Sequence, residues 1–216
     1  MIETEPQRTP RAEALAARID RLVRAVARHW LSIFNLLIAL YLVLPVAAPI
    51  LMESGHTAAG GFIYLIFRPQ CHQLPERSFF LFGESAVYSL EDLEAADVLP
   101  GTSLTERARF TGNDRLGYKI AFCERDLATW AAILLAGLLF GITGRRWRLL
   151  PLWGYALFLI PMAADGISQL LGWRESDWTL RTISGLLFGF ASVWLAYPHV
   201  EMAMSDVTDQ QVRRSA

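Results

Sequence analysis

Long uncharged runs alternate with polar, arginine-rich stretches along this chain. Trp30 to Met52 is 23 residues without a charge. As a helix this run covers about 34 Å at 1.5 Å per residue, against a hydrocarbon core of roughly 30 Å. Leu127–Gly144 and Thr182–Val200 also carry no charge, and Leu149–Trp173 carries only Asp165. Each of these runs satisfies its own backbone as a helix, which a bilayer demands. The pattern predicts an all-α membrane protein, a four-span transmembrane helix bundle embedded in the lipid bilayer. Ala58–Phe67 is apolar but only ten residues long, which predicts an interfacial or re-entrant piece.

Ahead of the first span, Leu15, Ile19, Leu22 and Val26 recur at helical spacing while Arg11, Arg18, Arg21 and Arg28 lie largely off that stripe. An N-terminal amphipathic helix on anionic headgroups is expected there. Six arginines precede the first span, three sit in the turn "GRRWR" and two follow the last span. The positive-inside rule then puts both termini in the cytoplasm. The expected organisation is a cytoplasmic amphipathic segment (1–29), a four-helix membrane domain (30–200) with an extracytoplasmic lid segment (53–122), and a cytoplasmic tail (201–216). The first apolar run starts late, is long, and lacks a small-residue cleavage site, so it is expected to anchor a multi-pass protein of the cell membrane.

Composition agrees with this reading. With 53% hydrophobic residues the chain is too apolar for an ordinary soluble domain. The net charge of −1 says nothing about nucleic acid, but no basic patch is interleaved with aromatics as single-strand binding requires, and no nucleic-acid partner is expected. The sequence has no HExxH, phosphate-binding glycine loop, GxSxG elbow or CxxCH, so it names no reaction and leaves open whether the chain is an enzyme.

The chemistry-bearing residues cluster in "FRPQCHQLPERSFFLFG", Phe67–Gly83, and in "FCERD", which opens the second span. On the topology above, Cys71 and His72 precede the lid and Cys123, Arg125 and Asp126 stand at the outer mouth of the second span. Asp165 lies about 24 Å up the third span, with Ser168 and Gln169 on its face. Arg174 and Arg181 flank the last outer loop. These groups fall at one depth, and an ionisable residue inside a span needs a partner; Arg125, Arg174 and Arg181 are the candidates for Asp165. The two cysteines leave three readings open: a disulfide pinning the lid, two inert thiols, or a metal held by Cys71, His72, Cys123 and Asp126, a ligand set suited to zinc.

Three stretches, "CHQLPERSF" (Cys71–Phe79), "KIAFCERDLA" (Lys119–Ala128) and "PMAADGISQLLGWRESDWTLRTISGLLFG" (Pro161–Gly189), resemble in their order the motifs of a prokaryotic membrane-protein family, domain of unknown function 2085. The resemblance implies no activity. It does imply that a Cys-His-Cys-Cys ligand set of relatives becomes Cys-His-Cys-Asp in this chain. Gly83–Lys119 is longer than in typical members.

The expected function is a polar, metal-binding site at the outer membrane face that takes an anionic lipid headgroup or phosphate. Gln73, Arg77, Ser78, Arg125, Asp165, Gln169, Arg174 and Arg181 are its binding residues, since arginine forks match phosphate geometry. The alternatives are a structural subunit with a Cys71–Cys123 disulfide and a small-solute transporter using Asp165 and Gln169. "GLLFG" occurs at Gly137–Gly141 and at Gly185–Gly189, and small residues four apart let helices approach, within the chain or between copies in a homo-oligomer.

Overall fold

The structure is a computed structural model, and it describes residues 10–101, 103–173 and 176–215. Arg174 lies outside the described residues. Helix α1 (Pro10–Glu53) is one rod of 44 residues, about 66 Å long. Neither Gly nor Pro interrupts it between Arg11 and Leu44. The amphipathic stretch and the first apolar run are therefore continuous, where a separate surface helix was expected. Leu15, Ile19, Leu22 and Val26 stay exposed along it.

At Gly55, whose φ of +82° suits a residue without Cβ, the chain reverses into α2 (Thr57–Phe67). At 11 residues α2 reaches only about 16 Å. It lies on α1, burying Gly60, Ile63, Tyr64 and Phe67.

The prolines inside α1 fix the next contact. Pro49 has no N–H for the Pro45 carbonyl one turn back. That oxygen instead accepts from the Ala121 amide at 3.1 Å. The strand leading to Cys123 is thereby docked on α1.

The lid segment folds as a small three-stranded antiparallel sheet and two short helices. Strands β1 (Phe80–Leu81), β2 (Gly112–Asn113) and β3 (Gly117–Lys119) run in the order β1-β3-β2, with Phe80 opposite Lys119 and Gly112 opposite Tyr118. Helices α3 (Leu90–Ala95) and α4 (Leu104–Arg107) each start with a capping box, Ser89 with Asp92 and Ser103 with Glu106. The sheet departs from the all-helical expectation, and strands this short leave no alternating pattern to read.

Three longer helices follow: α5 (Glu124–Ile142), α6 (Leu152–Leu170) and α7 (Trp178–Ser215). By length and composition α1, α5 and α7 can cross a membrane. A fourth span was expected over 149–173. Helix α6 stands there at 19 residues with Asp165 buried in it, and it is not among the three helices that qualify by length and composition.

Both GLLFG stripes pack inside the chain. A Cβ on Gly185 would stand 2.5 Å from the Arg125 carbonyl oxygen, and one on Gly189 would press into that of Thr129. Gly137 and Gly141 of α5 meet Asn35 and Leu31 of α1. At one end of the bundle the Trp30 indole N–H donates to Glu201 at 2.8 Å, and Arg145 reaches the same carboxylate at 3.3 Å. The arginine-rich segments around α1, the α5–α6 turn and α7 thus share that end. Cys71, Cys123 and Arg181 occupy the other.

Candidate functional site

Cys71 follows α2 and is buried. Cys123 is the N-cap of α5, its sulfur accepting from the Asp126 amide at 3.5 Å. The Cys123 amide donates to Cys71 Sγ at 3.1 Å, so the Cys71 sulfur sits at the positive end of a 19-residue helix. Both cysteines are free. The sulfur atoms and an Asp126 carboxylate oxygen lie within 4.8 Å of one another. The hydrogen bond from the Cys123 thiol is the chief cause holding Cys71 below its ordinary thiol value; the same bond, with burial, pushes Cys123 up.

His72 is exposed and stands outside this group of three. The cause is the next residue. Gln73 is fully buried with φ at +50°, and its amide donates to the carbonyls of Tyr64 at 2.9 Å and Ala121 at 3.1 Å. That left-handed turn, costly for a residue with a Cβ, pulls Gln73 into the core and leaves the imidazole outside. Ser78 is buried and donates to the Leu74 carbonyl at 2.9 Å, an intrasegment bond that shapes the turn.

The remaining expected residues form an ion-pair lattice beside the cluster. Asp165 is fully buried; its Oδ2 takes Arg125, Gln169 at 3.0 Å and Ser176 at 2.9 Å. Arg181 bonds Glu124 at 2.9 Å and the Glu76 carbonyl at 3.3 Å, and also reaches the Ser176 carbonyl. Arg125 and Arg181 are thus already neutralised by carboxylates. Arg77 is exposed and lines a cavity of about 500 Å³ between the lid segment and the mouth of the bundle.

Several residues here escaped the sequence reading. Glu124 is buried against Arg181, and Glu76 pairs with Arg107 at 2.8 Å. Lys119 is fully buried, its ammonium donating to the carbonyls of Gln73 and, at 2.9 Å, Ala108. Burial lowers its pKa to about 7. The one sequence signal was the even alternation of Gly117-Tyr118-Lys119, which sends Lys119 to the buried face of β3.

Apolar helices with a thiol–carboxylate cluster and an ion-pair lattice at one end define a helical membrane protein. The profile of the family described as "Predicted membrane protein (DUF2085)" matches residues 115–195, a stretch that includes β3, α5 and α6 and reaches into α7. Cys123, Asp126, Asp165 and Arg181 fall within the match and Cys71 precedes it. The chain is also 28% identical over 138 residues to "Uncharacterized protein MJ1492" of Methanocaldococcus jannaschii, covering 63% of this chain and 67% of that protein. No solved structure matches.

Proposed function

We propose that this chain is a multi-pass protein of the cell membrane, with α6 as its fourth span, that holds a thiophilic divalent ion, zinc by ligand type, at its outward end. The ligands are Cys71, Cys123 and Asp126. The observation that carries the reading is the convergence of their three ligand atoms within 4.8 Å, from segments 52 residues apart in sequence. Zinc bonds of about 2.0–2.3 Å set tetrahedral ligand atoms roughly 3.5–3.8 Å apart, so small side-chain rotations close the set. Three protein ligands leave a fourth position open, where zinc activates water or polarises an oxygen. The chain's own part is to hold the three donors at the α5 N-terminus. Arg125, on the same turn as Cys123 and Asp126, is kept in place by Asp165.

The orientation rests on charge. The arginine-rich ends of α1, α5 and α7 lie together, and the positive-inside rule assigns that end to the cytoplasm. The thiol cluster then faces outward. Because Arg125 and Arg181 are paired with carboxylates, the anionic ligand expected of the arginines is not assigned to this centre.

Elemental analysis of the purified protein tests the reading. One equivalent of zinc is expected, lost in Cys123→Ser. Protein without metal, whose intact mass is about two daltons low for a disulfide, would establish the structural-subunit alternative instead.

A further inference from the structure

We infer that α1 carries a dimerisation surface, on which a second copy of this chain packs its own α1 as a parallel two-stranded coiled coil. The surface is a seam on the face of α1 turned away from the bundle. Leu15, Ile19, Leu22 and Val26 are between 44% and 65% exposed, and their steps of four, three and four residues are those of a heptad repeat. Past His29 the same repeat reaches Ile33, Leu36, Leu40 and Val43, all exposed as well. The residues that α1 buries in its own bundle, among them Ala27, Leu31, Ile38 and Ala48, fall off the seam. From Leu15 to Val43 the seam runs about 42 Å.

Beyond Trp30 any lipid-facing helix is apolar, so the stretch ahead of it carries the information. There Arg18, Arg21, Arg24 and Arg28 hold positions off the seam, and a row of large apolar side chains outside the bilayer calls for a partner. A layer of headgroups is not that partner. Helix α1 runs from this stretch into the apolar run with no proline before Pro45, whereas a helix lying on the membrane surface would have to bend there. The seam residues select a helix like their own. From Leu15 to Leu36 one set of seam positions holds β-branched Ile19, Val26 and Ile33, and the other holds leucine at all but His29. That alternation favours two parallel strands. Parallel is also how two copies inserted the same way in one bilayer must meet, about a two-fold axis along the membrane normal. Charge does not oppose the pairing: beside the seam of a parallel pair, Arg11 faces Ala16 of the second copy and Arg18 faces its Val23, so no two arginines are opposed.

None of the three metal ligands belongs to the seam, so the dimer and the metal centre stand or fall separately. Cysteine scanning of the full-length protein in isolated membranes tests the dimer, with copper phenanthroline as oxidant and the wild type reporting any background from Cys71 and Cys123. A disulfide needs Cα atoms within about 7 Å, which only facing seam positions offer. Ile19→Cys, Leu22→Cys and Val26→Cys should each give a band at twice the monomer mass that dithiothreitol removes. Asp20→Cys and Arg21→Cys, exposed but off the seam, should stay monomeric. Leu22→Glu changes a side chain that the monomer leaves exposed, and it should shift the native mass of the detergent-solubilised protein from two chains to one. Equal linking at seam and off-seam positions would mean random collision, and linking at none would mean that lipid or a different protein covers the seam. Either result, or a Leu22→Glu protein that remains dimeric, overturns the inference.

Discussion

At the scale of single residues, Lys119 makes the sharpest statement about pH. Its ordinary value is 10.5, and burial in the fold lowers it to about 7. Between those two values the unfolded chain binds a proton that the folded chain does not, so stability rises with pH across that window. The contribution is complete above 10.5 and is lost as pH falls toward 7. Melting temperatures measured from pH 7 to 10 should climb more steeply for the wild type than for Lys119→Met, and parallel curves would remove Lys119 from the balance. The variant also strips a donor from the Gln73 and Ala108 carbonyls, costing about 1–3 kcal/mol for each acceptor left unsatisfied. A lysine in a polar loop is ordinarily solvated, and three residues of alternation are too faint a signal to override that expectation. Cys71, Cys123 and Asp126, by contrast, were legible, because the ends of two apolar runs had to meet at one depth. His72 was not, since adjacency in sequence cannot tell which of two neighbours a left-handed residue will turn inward.

At the scale of helices, the contact between α5 and α7 depends on the absence of side chains. A methyl at Gly189 would press into the Thr129 carbonyl oxygen and stand 2.9 Å from Ala132 Cβ. Backbone cannot yield as a flexible side chain does, so Gly189→Ala should cost about 1–3 kcal/mol, the usual range for overpacking. Gly61→Ala is the matched control: nothing lies within 4 Å of its Cβ position on exposed α2, and alanine is the better helix former. Thermal unfolding in one detergent should lower the melting point of the first and leave or raise that of the second. Equal behaviour would mean that α5 and α7 slide apart freely. The GLLFG stripes were readable as close-packing faces, but five residues do not say which helix they meet. The lid sheet was unreadable for another reason: strands of two or three residues are too short to show a period, and β1 pairs with β3 across the whole lid segment.

At the scale of the whole molecule, the decisive property is direction across the bilayer. The Glu201 carboxylate gathers Trp30 and Arg145 at one end, so the arginines flanking α1, α5 and α7 cannot be divided between the two sides. Three basic clusters on one side are a strong determinant of orientation, whereas the arginines of a long segment such as 53–122 count little. On the proposed orientation the lid and the cysteines face the exterior, the compartment where free thiols survive only if bound to metal or shielded from oxidant. Cys71 is buried and Cys123 half-buried, so neither is a good topology reporter. Ser54 and Ser205 are exposed at opposite ends. With a membrane-impermeant maleimide, Ser54→Cys should label in intact cells and Ser205→Cys only after lysis. The reverse order would turn the bundle over, placing the thiol cluster in a reducing compartment where a dithiol needs no metal to stay reduced. Labelling of both sites in intact cells would mean that the basic ends are separated by the bilayer, which the Trp30, Arg145 and Glu201 contacts do not permit.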